Sequence, residues 1–450
     1  GFKLILLRKV HRMNRVQQFL QHMGTPIPPA TQLASPVGCQ AQAAESFEDS
    51  VSAIPSKVAD LDAVFASGKT KSLAWRTAQL NSIITLLEEN EDMITDAVLK
   101  DLGKSKLEGY ISEVHMVKEE CNRHISNLQS WTKPKRVATP VPQMKGLSVS
   151  EIVPLPIGTC LIIGAWNYPI QLVLLPMVGA ISAGNPVVVK PSEISAASSA
   201  VLATLVRKYL DPEAFAVFTG GVDVATTLLQ QKFAKIFYTG NTSVGKIVYK
   251  AAAEHLTPVV LELGGKSPCI VDKNIDFNVT VRRITHGRFM NAGQTCVAPD
   301  YLLVHEDIHD QLVSALANQI TVFYGKNPKE SPDLGRVVSE NHVNRLSSYL
   351  SALNSDAKVV TGGLDKIDKA ERYVPPTLIT NVSPDSLIMK EEIFGPLLPI
   401  LKVKSVEAAI SFVNARPQPL AAYIFSKDSS TIANVRDNVL CGGMCANETI

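Results

Sequence analysis

Acidic residues are missing from the start of this chain. None precedes Glu45, whereas Lys3, Arg8, Lys9, Arg12 and Arg15 all fall within that stretch. Basic, acid-poor N-termini are the composition of organellar transit peptides, and the same stretch also suits a plain extension, so residues 1–45 are set apart as a disordered or targeting-like segment. Long apolar runs are absent too. Residues 4–7 are too few for a signal core, and nowhere does the sequence reach the ~18 uninterrupted apolar residues of a membrane helix. Cysteine is sparse: seven in 450 residues, odd in number and scattered, which excludes a disulfide framework and fits a reducing, cytoplasmic setting. Cys160 and Cys269 lie in apolar, strand-like runs and are expected in the core. Cys441 and Cys445 have no second pair near them, so no metal site is expected. Strong charge of either sign is lacking as well. A formal net charge of +2, without basic runs interleaved with aromatics, predicts no nucleic-acid partner.

What is present is a large apolar fraction, 46%, with 19% charged residues. A chain of this length exceeds one simple core, so two or three subdomains are expected. Residues 46–135 read as helical, with Leu80, Ile83, Ile84 and Leu87 at helical spacing. The prolines at 134, 140 and 142 end that region. Short apolar strands then alternate with helices. Strands are expected over 161–166, 186–190, 214–220, 234–240 and 258–264, with helices over 195–209, 223–231 and 243–255. A second series begins near Cys269, with strands over 302–305, 359–361 and 398–403. Continuously apolar strands alternating with helices imply parallel sheets covered on both faces. Ligands of such sheets bind beyond the carboxyl ends of the strands.

Several groups sit just past those ends. Trp166-Asn167-Tyr168-Pro169 places a neutral amide donor at a strand exit, suited to an oxyanion. Lys190-Pro191-Ser192-Glu193 brings a lysine and a glutamate out of a buried strand together. They could contact the ribose and phosphate of a nucleotide, or simply pair with each other at the surface. Thr239-Gly240-Asn241-Thr242-Ser243-Val244-Gly245 opens a helix, with Gly240 easing the exit turn and Gly245 keeping the first turn bare for an anion; an ordinary strand-to-helix turn reads the same way. Leu261-Glu262-Leu263-Gly264-Gly265 sets a carboxylate in an apolar strand end, where burial is expected to raise its pKa toward that of a general base; a salt-bridged structural glutamate is the alternative. Asn291-Ala292-Gly293-Gln294-Thr295-Cys296-Val297-Ala298-Pro299 carries a thiol that is either packing or a nucleophile. In Glu391-Glu392-Ile393-Phe394-Gly395-Pro396, Glu392 could hold a ribose with Phe394 as an apolar wall, or the segment is a charged turn.

Taken in order and spacing, these six segments resemble the aldehyde dehydrogenase superfamily over roughly residues 46–450, most closely its class 3 and fatty-aldehyde branch. The resemblance implies an α/β architecture: a modified Rossmann-type cofactor domain over 46–261, a second α/β catalytic domain over 262–450, and a small oligomerisation arm to which 132–155 contribute. It implies oxidation of aldehydes to carboxylic acids with NAD, NADP being possible, through a thiohemiacetal and thioester on Cys296. Glu262 matches the general base and Asn167 the oxyanion donor. Trp166, Lys190, Glu193, Gly240, Gly245, Leu263, Glu392 and Phe394 match cofactor contacts, and no metal is implied. A catalytically inactive homologue and a CoA-acylating enzyme are the alternatives, and Glu262 favours hydrolysis over acyl transfer to CoA. Members of the family run some fifty residues beyond the segment matching Ala446-Asn447-Glu448-Thr449-Ile450. That tail completes the catalytic domain and the dimer, and in fatty-aldehyde members it bears a membrane anchor.

Overall fold

The computed structural model describes residues 51–139 and 146–450; the basic segment before Ser46 lies outside them. The chain divides into two compact units. Of the described residues, one takes 51–101, 109–139 and 146–262, and the other takes 102–108 and 263–450.

The first unit is built on a five-stranded sheet with order β5-β4-β3-β6-β7. Its strands are β3 (Cys160–Ile163), β4 (Val187–Lys190), β5 (Phe215–Val217), β6 (Lys235–Gly240) and β7 (Val259–Leu263). β3, β4, β5 and β6 pair in parallel. Every residue of β3, β4 and β5 is buried, which is what unbroken runs of valine, isoleucine and leucine dictate. Crossover helices span Gln171–Ser182, Ala196–Tyr209, Val222–Leu229 and Thr242–Ala253. The expected helices therefore stand within two residues of their places. Ahead of the sheet, helices Leu73–Glu89 and Met116–Thr132 bury Leu80, Ile83, Leu86 and Leu87 and Val117, Cys121 and Leu128 respectively. The latter helix stops just before Pro134. A small antiparallel hairpin follows, β1 (Lys135–Val137) with β2 (Ser150–Ile152). Around it Val137, Leu147, Val149, Ile152, Val153 and Leu155 are exposed.

The second unit holds a seven-stranded sheet of order β10-β11-β12-β9-β8-β13-β14. Its strands are β8 (Pro268–Val271), β9 (Tyr301–His305), β10 (Lys358–Thr361), β11 (Thr377–Thr380), β12 (Leu397–Val403), β13 (Ala421–Phe425) and β14 (Gly443–Ala446). Only the edge pair β10–β11 is antiparallel; the others run parallel. Alternate residues feed two cores. Ile270, Leu303 and Ile424 face one, and Cys269, Leu302, Tyr423 and Phe425 face the other. Cys160 and Cys269 are both buried, as expected. Among the described residues no helix is long and apolar enough to cross a membrane.

Candidate active site

In the first unit the chemistry-bearing groups gather at the carboxyl ends of adjacent strands. Ile163, the last residue of β3, is in register with Lys190 of β4 and Tyr238 of β6. The segments leaving these three strands are Gly164–Pro169, Pro191–Glu193 and Asn241–Gly245. Strand β3 ends at Ile163, so Trp166 belongs to the exit loop. Asn167 is buried and Trp166 half-buried. The loop is anchored behind by Glu113, fully buried, whose carboxylate accepts the Ile170 and Gln171 amides at 3.1 and 2.9 Å. Those are first-turn donors of the helix Gln171–Ser182, which have no partner inside it.

Lys190 and Glu193 do pair, at 2.6 Å. The lysine is buried, however, and only the glutamate is exposed. A buried ammonium also needs a second acceptor, here the Pro191 carbonyl at 3.2 Å. Asp101 seats the next helix, accepting Ala197 and Ser198 amides at 3.1 and 2.7 Å. Gly240 is required for space: a Cβ there would lie 2.2 Å from the Tyr238 hydroxyl. Asn241 caps the following helix by accepting the Val244 amide at 2.9 Å, and Gly245 is buried in its first turn.

Glu262 departs from expectation. It is exposed, with only half-buried residues beside it in β7. The strand forms the edge of its sheet, so the apolar flanks do not enclose the carboxylate, and the desolvated environment expected there is absent. Leu263 is half-buried.

In the second unit the segment before Cys296 takes a left-handed course, with φ of 52°, 51° and 73° at Asn291, Ala292 and Gly293. Two non-glycine residues in this region are costly, and hydrogen bonds hold them. Glu108 accepts the Asn291 amide at 2.7 Å. The fully buried Gln294 side chain donates to the Asn291 and Arg336 carbonyls at 3.0 and 2.9 Å and accepts the Val338 amide at 2.9 Å. Gly293 lies so close to Gly395 that a Cβ would meet its carbonyl oxygen at 2.4 Å. The thiol loop and the Glu391–Pro396 segment therefore touch. Cys296 is half-buried.

A buried charge cluster ties the same two segments together. Asp300 accepts the Ile393 amide at 3.0 Å and lies 3.5 Å from Arg288, which donates to the carbonyls of Pro299, at 3.0 Å, and Gly395. Lys266 also pairs with Asp300, and it reaches the Ile388 and Glu391 carbonyls at 2.7 and 3.0 Å. Arg345 bonds the carbonyls of Glu392, Ile393 and Phe394 at 3.5, 2.8 and 3.3 Å. That supports Phe394 at a φ of 47°, a strained backbone for a bulky residue. The Glu392 carboxyl occupies the place a Cβ on Gly264 would take, 2.0 Å from one oxygen. Burial, then the nearby Asp300, pushes its pKa up to about 8, against the Gly265 amide, Lys266 and Arg345, which lower it. Sequence reading missed Glu113, Asp300, Arg288, Lys266 and Arg345. Among the described residues no cluster of metal ligands occurs.

The aldehyde dehydrogenase family profile matches residues 36–450. The chain belongs to the aldehyde dehydrogenase family. It is 46% identical over 386 residues to aldehyde dehydrogenase family 3 member A2 of Pongo abelii, covering 86% of this chain and 78% of that one. To the dimeric NADP-preferring aldehyde dehydrogenase of Rattus norvegicus it is 45% identical over 387 residues, covering 86% and 83%. A solved structure of Staphylococcus aureus AldH in a substrate-bound state superposes with a TM-score of 0.84 at 42% identity, covering 88% of this chain and 85% of that one. These relatives place this aldehyde dehydrogenase in the class 3 branch, and its activity is NAD(P)-dependent oxidation of aldehydes. The α/β architecture with a Rossmann-like cofactor domain is that of the solved relatives.

Proposed function

We propose that Cys296 is the nucleophile, Glu262 the general base and Asn167 the oxyanion donor, and that the product is the free acid. Glu262, acting through water, takes the thiol proton, and the thiolate attacks the aldehyde carbon. The Asn167 side-chain amide and the Cys296 backbone N–H hold the charge that develops on oxygen. Bound nicotinamide supplies the one step the side chains cannot, acceptance of hydride. The thioester left on Cys296 is cleaved by water that Glu262 deprotonates. A solvent-exposed carboxylate suits a base that works through water in both steps.

The fit of the dinucleotide rests on polar groups at the strand ends and on bare glycines. Lys190 and Glu193 leave β4 together, Gly245 leaves the first turn of the helix after β6 without a side chain, and the Glu392 carboxyl stands against the bare Gly264. Trp166, Lys190, Glu193, Gly240, Gly245 and Leu263 would hold the cofactor, with Glu392 and Phe394 on the nicotinamide half. NAD is the proposed cofactor, because the exposed Glu193, which pairs with Lys190 through one carboxylate oxygen, has the other to accept from a ribose hydroxyl, and NADP is a possible substitute. The protein acts as a cytoplasmic homodimer in this reading. The exposed apolar residues around β1 and β2 support the dimer, as does the word dimeric in the rat relative's name.

The observation that carries the assignment is the Cys296 loop, fixed in left-handed backbone by Gln294 and pressed against the Glu392–Phe394 segment. Its test follows NADH absorbance with a medium-chain aldehyde. Cys296→Ala abolishes turnover, and Asn167→Ala lowers it by about 10²–10³. Glu262→Gln severely slows turnover, because the same carboxylate serves both thiol deprotonation and thioester hydrolysis. Ordinary turnover by Cys296→Ala refutes the assignment.

A further inference from the structure

Glu113 has no part in the chemistry above, yet it is fully buried and directs its charge at the loop that carries Asn167. It belongs to a turn of π-helix, Tyr110–His115, whose wide course buries Ser112, Glu113 and Val114 in succession. Such turns are rare in helices and recur at functional sites. The carboxylate faces the start of the helix Gln171–Ser182. That helix begins beside Ile170, which has no side-chain oxygen to cap it. Its amides at Leu172 and Val173 return to the carbonyls of Tyr168 and Ile170, at 2.9 and 3.3 Å. The two amides ahead of them, those of Ile170 and Gln171, both donate to one oxygen of Glu113, Oε2. A helix start favours a negative charge at that place, and a buried carboxylate needs such donors.

The other end of the same loop is pinned as well. Gly164 donates to the Lys190 carbonyl at 3.0 Å. A Cβ on Gly164 would lie 2.4 Å from a Val173 methyl, so the strand exit is pressed against the first turn of the helix. Between these anchors Pro169 keeps its φ at about −65°, and Tyr168 and Ile170 are buried. Only Tyr168 and Pro169 separate the buried Asn167 from the first amide that Glu113 holds. We propose that Glu113 is a positioning residue for the oxyanion site, aiming the Asn167 amide by fixing the helix start behind it. The inference rests on the reading of Asn167 as the oxyanion donor. Donors to a developing oxyanion are effective when they are already in place, and a misplacement of about 1 Å can cost about 10² in rate. Glu113 acts through Asn167 and touches no reacting atom.

The test is a double-mutant cycle on the full chain, read as the rate of NADH formation in the first turnover with a medium-chain aldehyde. Glu113→Ala is expected to slow that step by up to about 10² while the KM for the cofactor stays the same. Glu113→Asp keeps the charge but withdraws it by one methylene, and slows the step less. In the Asn167→Ala background, where no amide remains to be aimed, neither Glu113 variant adds a further loss. A Glu113 effect of undiminished size in that background, or a wild-type rate in Glu113→Asp and Glu113→Ala, overturns the proposal. Should Glu113→Ala fail to fold, the cycle with Glu113→Asp decides: a loss that vanishes without the Asn167 amide supports the proposal, and a wild-type rate or a persisting loss overturns it. An unchanged first turnover in Asn167→Ala alone would instead sink the oxyanion assignment, and the cycle tells the two failures apart.

Discussion

Replacing Glu392 by glutamine should stabilise this protein in alkali and leave it unchanged in acid. Burial beside Asp300 raises the carboxyl from 4.5 to about 8. Between those values the folded protein keeps a proton that the unfolded chain has released, so stability falls as pH rises through the window and levels off above it. At about 1.36 kcal/mol per pH unit, the gap corresponds to up to about 5 kcal/mol of strain from the ionised group. Glutamine has nothing to ionise and retains an oxygen for the Gly265 amide. Urea unfolding of wild type and Glu392→Gln at closely spaced pH values reads the difference directly. It should be near zero at pH ~4.5, grow toward pH ~8 and then stay flat. A difference of constant size, or a glutamine variant weakened more in alkali than in acid, refutes the argument.

Two further substitutions probe the loops around the thiol. Asp300→Asn strips the anion from between Lys266 and Arg288, and removing one partner of a buried pair costs roughly 3–5 kcal/mol; chemical denaturation measures the loss, and a change within experimental error would count against the cluster. Gly293→Ala places a methyl group where the Gly395 oxygen sits, at a φ of 73°. Activity should fall sharply while the far-ultraviolet circular dichroism stays the same, and unaltered turnover would show that the loop tolerates displacement.

Periodicity made most of the fold legible. Strands expected over 186–190, 234–240 and 398–403 are found at 187–190, 235–240 and 397–403, because runs of β-branched residues between glycine and proline leave few alternatives. β11, β13 and β14 were not anticipated; β13 and β14 carry alanine or glycine in place of β-branched residues, whereas β11, Thr-Leu-Ile-Thr, has the composition but only four residues. The motifs disclosed the chemistry through residue type and order, and strand order was invisible to them. Glu262 shows the consequence: apolar neighbours in sequence suggested enclosure, yet its strand lies at a sheet edge. The ties of Asp300 were hidden for a related reason. Its partners Arg288, Lys266 and Ile393 are 12, 34 and 93 positions away, and nothing in a single sequence links such separations.

The side chain of Gln294 has its hydrogen-bonding capacity answered by Asn291, Arg336 and Val338. The turn leading to the sulfur is consequently set when the polypeptide folds, before any aldehyde arrives. With Cys296 as the proposed nucleophile, reaction from such a turn spends little on rearranging the sulfur, so differences among aldehydes in turnover should arise from how each one seats itself and not from how far the sulfur must travel to meet it.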